Sequence, residues 1–253
     1  MTETTARKAL SLLDLTDLSD ACDAAAIEAL CAQAQTPFGP TAAICIWPRF
    51  VAQARGILGA GHAVKIATVV NFPSGDLAVA DVVAETEQAI ADGADEIDLV
   101  IPYRAFLAGD EAAVTEMVTA VKTACPAPVR LKTILETGAI RDEALIRRAS
   151  DLAIAAGSDF IKTSTGKVAV NATLDAARIM LTAIRESGKP VGFKPAGGVR
   201  TVADAGAYLA LAANILGDDW ASPKTFRFGA SGLLGDILAV LGGQAAPAKP
   251  ASY

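Results

Sequence analysis

Residues 93–98, Gly-Ala-Asp-Glu-Ile-Asp, are echoed at residues 157–162 by Gly-Ser-Asp-Phe-Ile-Lys. Each copy opens on a glycine where a helix needs a left-handed cap, with an aspartate two residues on and an isoleucine at the fifth position. A charged residue then stands five after the glycine, Asp98 in one copy and Lys162 in the other. Side chains alternate across a strand, so Asp98 and Lys162 point to the side opposite Ile97 and Ile161. Both copies read as one helix-to-strand junction that delivers a charged group to the same face of a sheet.

Outward from this pair, β-type apolar runs alternate with helical patterns along the whole chain. Strands are expected near Leu12–Leu15, Ala42–Ile46, Lys65–Val70, Glu96–Ile101, Val129–Leu135, Asp159–Thr163, Val191–Lys194 and Arg227–Gly229. In the helical segment Leu77–Asp92, the spacing predicts a core-facing stripe of Val79, Val83, Thr86 and Ile90. In Arg141–Ala156 it predicts Leu145, Ala149, Leu152 and Ala156, with Glu143 and Arg147 as an i,i+4 pair. Eight such units in 253 residues are the arithmetic of a single (β/α)8 barrel. A doubly wound open sheet would want a glycine-rich turn after an early strand. The one candidate, Gly59-Ala60-Gly61, follows a helix and precedes a strand, which is the wrong polarity. The barrel is expected over residues 1–241, and residues 242–253, rich in Gly, Ala and Pro, read as a flexible tail.

Composition narrows the chemistry. A net charge of −6 with scattered Lys and Arg argues against a nucleic-acid surface. The richest apolar stretch, Ala205 to Leu216, falls short of the roughly 20 residues a membrane span needs. No charged-then-apolar leader opens the chain, so a cytoplasmic location is expected. The four cysteines show no C-x-x-C spacing, which favours free thiols. A single histidine, His62, excludes multi-histidine sites, and its place in a helix-to-strand loop puts it on the face away from the chemistry. No metal is expected.

The polar residues near the expected strand ends are Asp14, Cys45, Asn71, Asp98, Glu136, Lys162, Lys194 and Ser231. Two lysines on adjacent strands stand out. A solvated lysine, with a pKa of about 10.4, offers a free amine in roughly one molecule in 2,500 at neutral pH. A second ammonium about 5 Å away, at an effective dielectric of about 20, disfavours the charged form by about 3 kcal/mol, or about two pKa units. Burial adds to this. One lysine of such a pair becomes a neutral nucleophile suited to imine formation with a carbonyl, while the other stays charged or shuttles protons. Asp98 can move protons nearby. The plainer alternative is a buried salt bridge that only holds strands together.

Three glycine-containing segments follow strands six, seven and eight: Lys162-Thr163-Ser164-Thr165-Gly166-Lys167, Pro195-Ala196-Gly197-Gly198 and Gly229-Ala230-Ser231-Gly232. Their backbone amides, with a hydroxyl and Lys167, make an anion cradle suited to phosphate. Thr165-Gly166-Lys167 is no P-loop, because Ile161 stands where the leading glycine belongs.

At this point the sequence resembles the deoxyribose-phosphate aldolases, class I enzymes of the Schiff-base type. The likeness runs through TAAICIWPRF (41–50), ATVVNFPSG (67–75), ADEIDLVIPYRA (94–105), DFIKTSTGKVAVNAT (159–173), GFKPAGGVRT (192–201) and RFGASGLL (227–234). It implies reversible cleavage of 2-deoxy-D-ribose 5-phosphate to acetaldehyde and D-glyceraldehyde 3-phosphate, without organic cofactor. By the resemblance, Lys162 forms the imine, Lys194 lowers its pKa and joins the proton relay, and Asp98 gives and takes the proton. Phosphate contacts fall on Gly166, Lys167, Gly197, Gly198 and Ser231. Gly232 stands where family members often carry a second serine, leaving a backbone amide there. The terminal Ala-Ser-Tyr resembles members whose last tyrosine, here Tyr253, assists proton transfer.

Asp14, Asn71, Cys45 and Thr165 are expected around the site in supporting or positioning roles, with Cys45 a small buried thiol. Lys132, mid-strand, reads either as a third inward amine or as a structural partner of Glu136, the latter favoured. The alanine-rich outer face is compatible with a homodimer. Three other functions share this pattern: another Schiff-base lyase or transaldolase, a phosphosugar isomerase or epimerase using Asp98 as base, and a silent phosphosugar-binding protein.

Overall fold

A computed structural model describes residues 2–243. Eight parallel strands alternate with helices: β1 (Leu13–Asp17), β2 (Ala43–Ile46), β3 (Lys65–Val70), β4 (Glu96–Val100), β5 (Arg130–Ile134), β6 (Phe160–Lys162), β7 (Gly192–Lys194) and β8 (Phe228–Ala230). They pair in chain order, β8 pairs back onto β1, and bridges Phe193–Phe226 and Ala196–Gly229 join β7 to β8. The sheet therefore closes into a (β/α)8 barrel, as the eight-unit pattern predicted. Both echoed glycines take positive φ, 105° at Gly93 and 102° at Gly157.

The helices are α1 (Glu3–Ser11), α2 (Ala24–Gln33), α3 (Val51–Leu58), α4 (Val79–Ala91), α5 (Tyr103–Leu107), α6 (Glu111–Ala124), α7 (Thr137–Ile140), α8 (Glu143–Ala155), α9 (Leu174–Ser187), α10 (Val202–Leu216) and α11 (Leu233–Leu241). A capping box fixes the start of α10, with Thr201 accepting from the Asp204 amide and Asp204 accepting in return. No helix among the described residues is long and apolar enough to cross a membrane.

Two expected helix faces are rotated. α4 buries Val82, Thr86 and Ala89, with Val79, Val83 and Ile90 only half-buried. α8 buries Ile146, Ala149, Ser150, Ala153 and Ile154, while Leu145 is exposed. Each of these helices packs on a neighbouring helix as well as on a strand. The buried arc therefore faces the seam between them rather than the barrel alone. Glu143 and Arg147 do not pair. Arg147 donates to Asp151 and Glu186, and Glu143 lies 3.6 Å from Arg178. The four cysteines are free and buried.

The barrel interior is divided by chemistry. Leu18, Cys45, Ala67 and Val69 form a small apolar cluster on one side. Charged side chains fill the other side. Gly229 makes room for them, since a Cβ there would lie 3.0 Å from the Cε of Lys194 and 2.9 Å from the Cβ of Ala196.

Candidate active site

Strand register brings the expected residues together. Asp98 on β4 stands opposite Lys132 on β5, and Lys162 on β6 stands opposite Lys194 on β7. Asp98, Lys132 and Lys194 are fully buried, and Lys162 is 3% exposed. The Oδ2 of Asp98 accepts from Lys162 Nζ at 2.7 Å and from Lys194 Nζ at 2.8 Å. The two amines are thus no farther apart than those lengths laid end to end, consistent with the separation of about 5 Å taken from the sequence. Lys194 also donates to Asp14 Oδ2 at 2.6 Å.

These contacts set opposite fates for the two lysines. Burial pushes the Lys162 amine below its ordinary pKa. Asp98 opposes that shift, and the Lys194 ammonium adds to it. Burial is therefore the larger cause and the neighbouring charge the smaller, reversing the order assumed from the spacing. For Lys194, burial is outweighed by the carboxylates of Asp14 and Asp98, so its pKa rises and it stays an ammonium. Asp98 is held well below the usual carboxylate range, because Lys132, Lys162 and Lys194 together overcome its desolvation.

Lys162 opens into a cavity of about 570 Å³ at the C-terminal mouth of the barrel. Its walls include Thr165, Gly166 and Lys167 after β6, Gly197 and Gly198 after β7, and Ser231 and Gly232 after β8. These are all of the expected phosphate positions. α11 starts after Gly232 with no side-chain cap, so its first-turn amides suit an anion. Lys167 lies over the Trp47 ring at 5.8 Å and 3.8 Å from exposed Asp20. Thr165 supports this loop: its hydroxyl donates to buried Glu136 and accepts from the Lys167 amide at 3.0 Å. Burial raises the Glu136 carboxyl pKa.

The remaining expectations divide. Asp14 is an ion-pair partner inside the barrel. Cys45 is a buried thiol 3.9 Å from Asp98 Oδ2, its pKa raised by burial. Asn71, expected near the substrate, spends its side chain on the loop after β3, donating to Val100 O and accepting from the Leu77 amide. Lys132 does point inward, yet its partners are Asp98 and Glu96 rather than Glu136. Tyr253, with residues 244–252, lies outside the described residues.

Sequence reasoning missed three participants. Glu96 and Arg227 are buried and ion-paired at 2.7 Å beneath the lysines. Glu96 lies two residues before Asp98 and Arg227 two before Gly229, so strand parity alone could have flagged both. Asn171 lines the mouth, and its Oδ1 has no hydrogen-bond partner among the described residues. A larger cavity of about 820 Å³ opens at the opposite end of the barrel, holding neither Lys162 nor Lys194.

A closed barrel, two buried lysines on one aspartate oxygen and a glycine-walled mouth together define a (β/α)8 barrel with a buried amine pair at its C-terminal end. Residues 8–234 match the family described as DeoC/LacD family aldolase, and the chain belongs to that family. It is 68% identical over 247 residues to the deoxyribose-phosphate aldolase of Agrobacterium fabrum, covering 98% of this chain and 95% of the relative. Among solved structures, it is similar to a Toxoplasma gondii ME49 protein provisionally assigned as a deoxyribose-phosphate aldolase. The TM-score is 0.87, with 25% identity and 96% of each chain covered. The Aeropyrum pernix deoxyribose phosphate aldolase superposes with a TM-score of 0.77 at 22% identity over 92% of this chain and 91% of that one, a likeness of fold alone.

Proposed function

We propose that this chain is a class I aldolase that reversibly cleaves 2-deoxy-D-ribose 5-phosphate to acetaldehyde and D-glyceraldehyde 3-phosphate, in deoxyribonucleotide breakdown. The observation that carries the reading is a buried amine of lowered pKa, Lys162, hydrogen-bonded to Asp98 and opening into a cavity of about 570 Å³. That volume suits a five-carbon phosphosugar.

The uncharged Lys162 amine attacks the open-chain C1 aldehyde, and loss of water gives an iminium. The C3 hydroxyl loses its proton as the C2–C3 bond breaks. The bond electrons pass to C2 as an enamine, and the three-carbon aldehyde phosphate leaves. Protonation of C2 and hydrolysis release acetaldehyde and return the free amine. Asp98, already joined to both lysines through one oxygen, carries protons between them. Lys194 is the reservoir: a firm ammonium at rest, it becomes a better donor once an iminium charge forms beside it. Gly166, Lys167, Gly197, Gly198, Ser231 and Gly232 hold the phosphate through amides, the Lys167 ammonium and one hydroxyl. The same reading takes the alanine-rich outer face as a homodimer contact, to be checked by sedimentation velocity, and the cytoplasm as the compartment.

Acetaldehyde with borohydride, followed by peptide mapping, tests the proposal beside a Lys162→Ala variant. A covalent ethyl adduct on Lys162, absent in the variant, is expected. Turnover without any adduct would point to an isomerase or epimerase, and phosphosugar binding without turnover to a silent binder.

A further inference from the structure

Seven ionisable side chains meet inside the barrel, none with a side chain more than 4% exposed. Six of them close a ring of alternating charge. Asp98 Oδ1 accepts from Lys132 at 2.8 Å, and Lys132 lies 2.6 Å from Glu96 Oε2. Glu96 accepts from Arg227 at 2.7 Å, and Arg227 donates to Asp14 Oδ1 at 2.6 Å. Asp14 Oδ2 accepts from Lys194 at 2.6 Å, and Lys194 returns to Asp98 Oδ2 at 2.8 Å. Three carboxylates and three cations balance in charge; Lys132 also lies 3.8 Å from Asp14 across the ring, and Arg227 donates outside it to Pro223 O. Lys162, the seventh group, hangs on the outside of this ring at Asp98 Oδ2.

We infer that the ring is what leaves Lys162 uncharged, and that Glu96, Lys132 and Arg227 are positioning residues for the imine chemistry, acting through Asp98. Burying an ion is costly unless an opposite charge awaits it. A neutral ring offers Lys162 a hydrogen-bond acceptor but no net counter-charge, so taking up a proton would leave one uncompensated positive charge in the barrel. The pairing also turns Asp98, because Lys132 holds Oδ1 and so aims Oδ2 at the two amines. The inference deepens the imine reading and rests on it.

Other groups face Lys162, and none belongs to the ring. Cys45 approaches from β2 as a buried thiol, Glu136 from beyond the end of β5 as a carboxyl held by Thr165, and Asp17, Lys167 and Arg200 from the mouth. All five are left unchanged by the substitutions.

The ring predicts a rule of sign that packing alone does not. Arg227→Met removes a fixed cation, so Lys162 gains affinity for a proton and its titration moves to higher pH. Glu96→Gln removes a fixed anion and moves it to lower pH. Each shift is expected at about one pH unit, for a charge deleted a few ångströms beyond Asp98 at an effective dielectric of about 20. The double variant Glu96→Gln/Arg227→Met restores the balance and brings the midpoint back between the two. Arg227→Lys keeps the charge and keeps the midpoint.

The readout is the pH dependence of the initial rate at which acetaldehyde and cyanoborohydride label Lys162, normalised to a free model amine. Peptide mapping identifies the labelled residue. Opposite shifts in the single variants, with recovery in the double, support the inference. Shifts of the same sign, or unmoved midpoints in folded protein, overturn it. Should Arg227→Met fail to fold, the near-isosteric Glu96→Gln carries the test: a shift to lower pH supports, and an unmoved midpoint refutes. A label that maps elsewhere than Lys162 overturns the imine reading itself, which keeps the two failures distinct.

Discussion

Replacing Lys194 by methionine removes one ammonium and keeps most of the side-chain volume. Lys194 and Lys162 share one oxygen of Asp98, at 2.8 Å and 2.7 Å. At a separation of about 5 Å and an effective dielectric of about 20, their repulsion is about 3 kcal/mol, or about two pKa units. Lys194→Met should therefore raise the Lys162 pKa by about two units and cut the free amine at neutral pH about a hundredfold. Loss of the proton reservoir should remove a further factor of about 10²–10⁴ from cleavage. The two effects separate by pH, because the first recovers as pH rises and the second does not. Stability should fall by no more than about 3–5 kcal/mol, the cost of breaking a buried pair. Neither carboxylate is orphaned, since Asp14 keeps Arg227 and Asp98 keeps Lys132. The assay is kcat/KM for cleavage from about pH 6 to about pH 10, below the ordinary lysine value of about 10.4, run beside trapping on Lys162 and thermal melts. A folded Lys194→Met protein whose trapping midpoint does not move would refute the reasoning.

The other predictions concern stability, the phosphate loop and the tail. Asp14, Glu96 and Asp98 are all held below the usual carboxylate range, their burial outweighed by the surrounding cations. A depressed carboxylate contributes stability that is complete above its unfolded value of about 4 and lost as pH falls below it. Melts should therefore drop as pH falls below about 4, and Asp98→Asn should flatten that limb; an unchanged limb would count against the ring. Glu136 works in the opposite sense. Its burial-raised pKa penalises the folded state as pH rises through it, so the stability of Glu136→Gln relative to the parent protein should rise between about pH 4 and about pH 8, as denaturant melts of the two would show. A Cβ at Gly138 would overlap the carbonyl oxygen of Val170 in the loop after β6. Gly138→Ala should cost about 1–3 kcal/mol and raise KM for the phosphosugar more than it lowers kcat, and unaltered KM would reject that link. Deleting Tyr253 should slow deuterium exchange at the methyl carbon of acetaldehyde while leaving the melting temperature in place, and NMR would detect the failure of either.

Much of this architecture is legible in the sequence because a parallel barrel repeats one local unit. The echo at residues 93–98 and 157–162 locates two strands and their polarity, and alternation then aims Asp98 and Lys162 inward. Side-chain direction follows from local geometry, so it can be read from neighbouring residues. The helix faces are less legible. α4 and α8 each pack on a neighbouring helix as well as on a strand, and that second contact lies far away in sequence. A single periodic stripe therefore gives the right element with the wrong rotation. Asn71 shows a related limit: its position after β3 is plain, but its φ of 55° turns its amide into the loop.

The ring of charge lies beyond both limits. Parity says that Glu96 and Arg227 share a side with Asp98 and Gly229, but it does not say at what height each charge sits. Height depends on the stagger between strands, and stagger comes from closure of the whole barrel. Arg227 meets Asp14 across 213 positions of sequence and Glu96 across 131, joining the approach to β8 with β1 and β4. Neither segment alone carries that information. The same physics explains why the lysine pair was found and its governors were not. Two amines on adjacent strands announce themselves by register, whereas the balance that keeps one uncharged is a property of the closed ring. A barrel that buried Lys162 and Lys194 without the remaining carboxylates and cations would hold two costly charges and no reason for either lysine to be the nucleophile. Selecting one amine therefore requires the distant partners, and that requirement is what the sign of each single substitution measures.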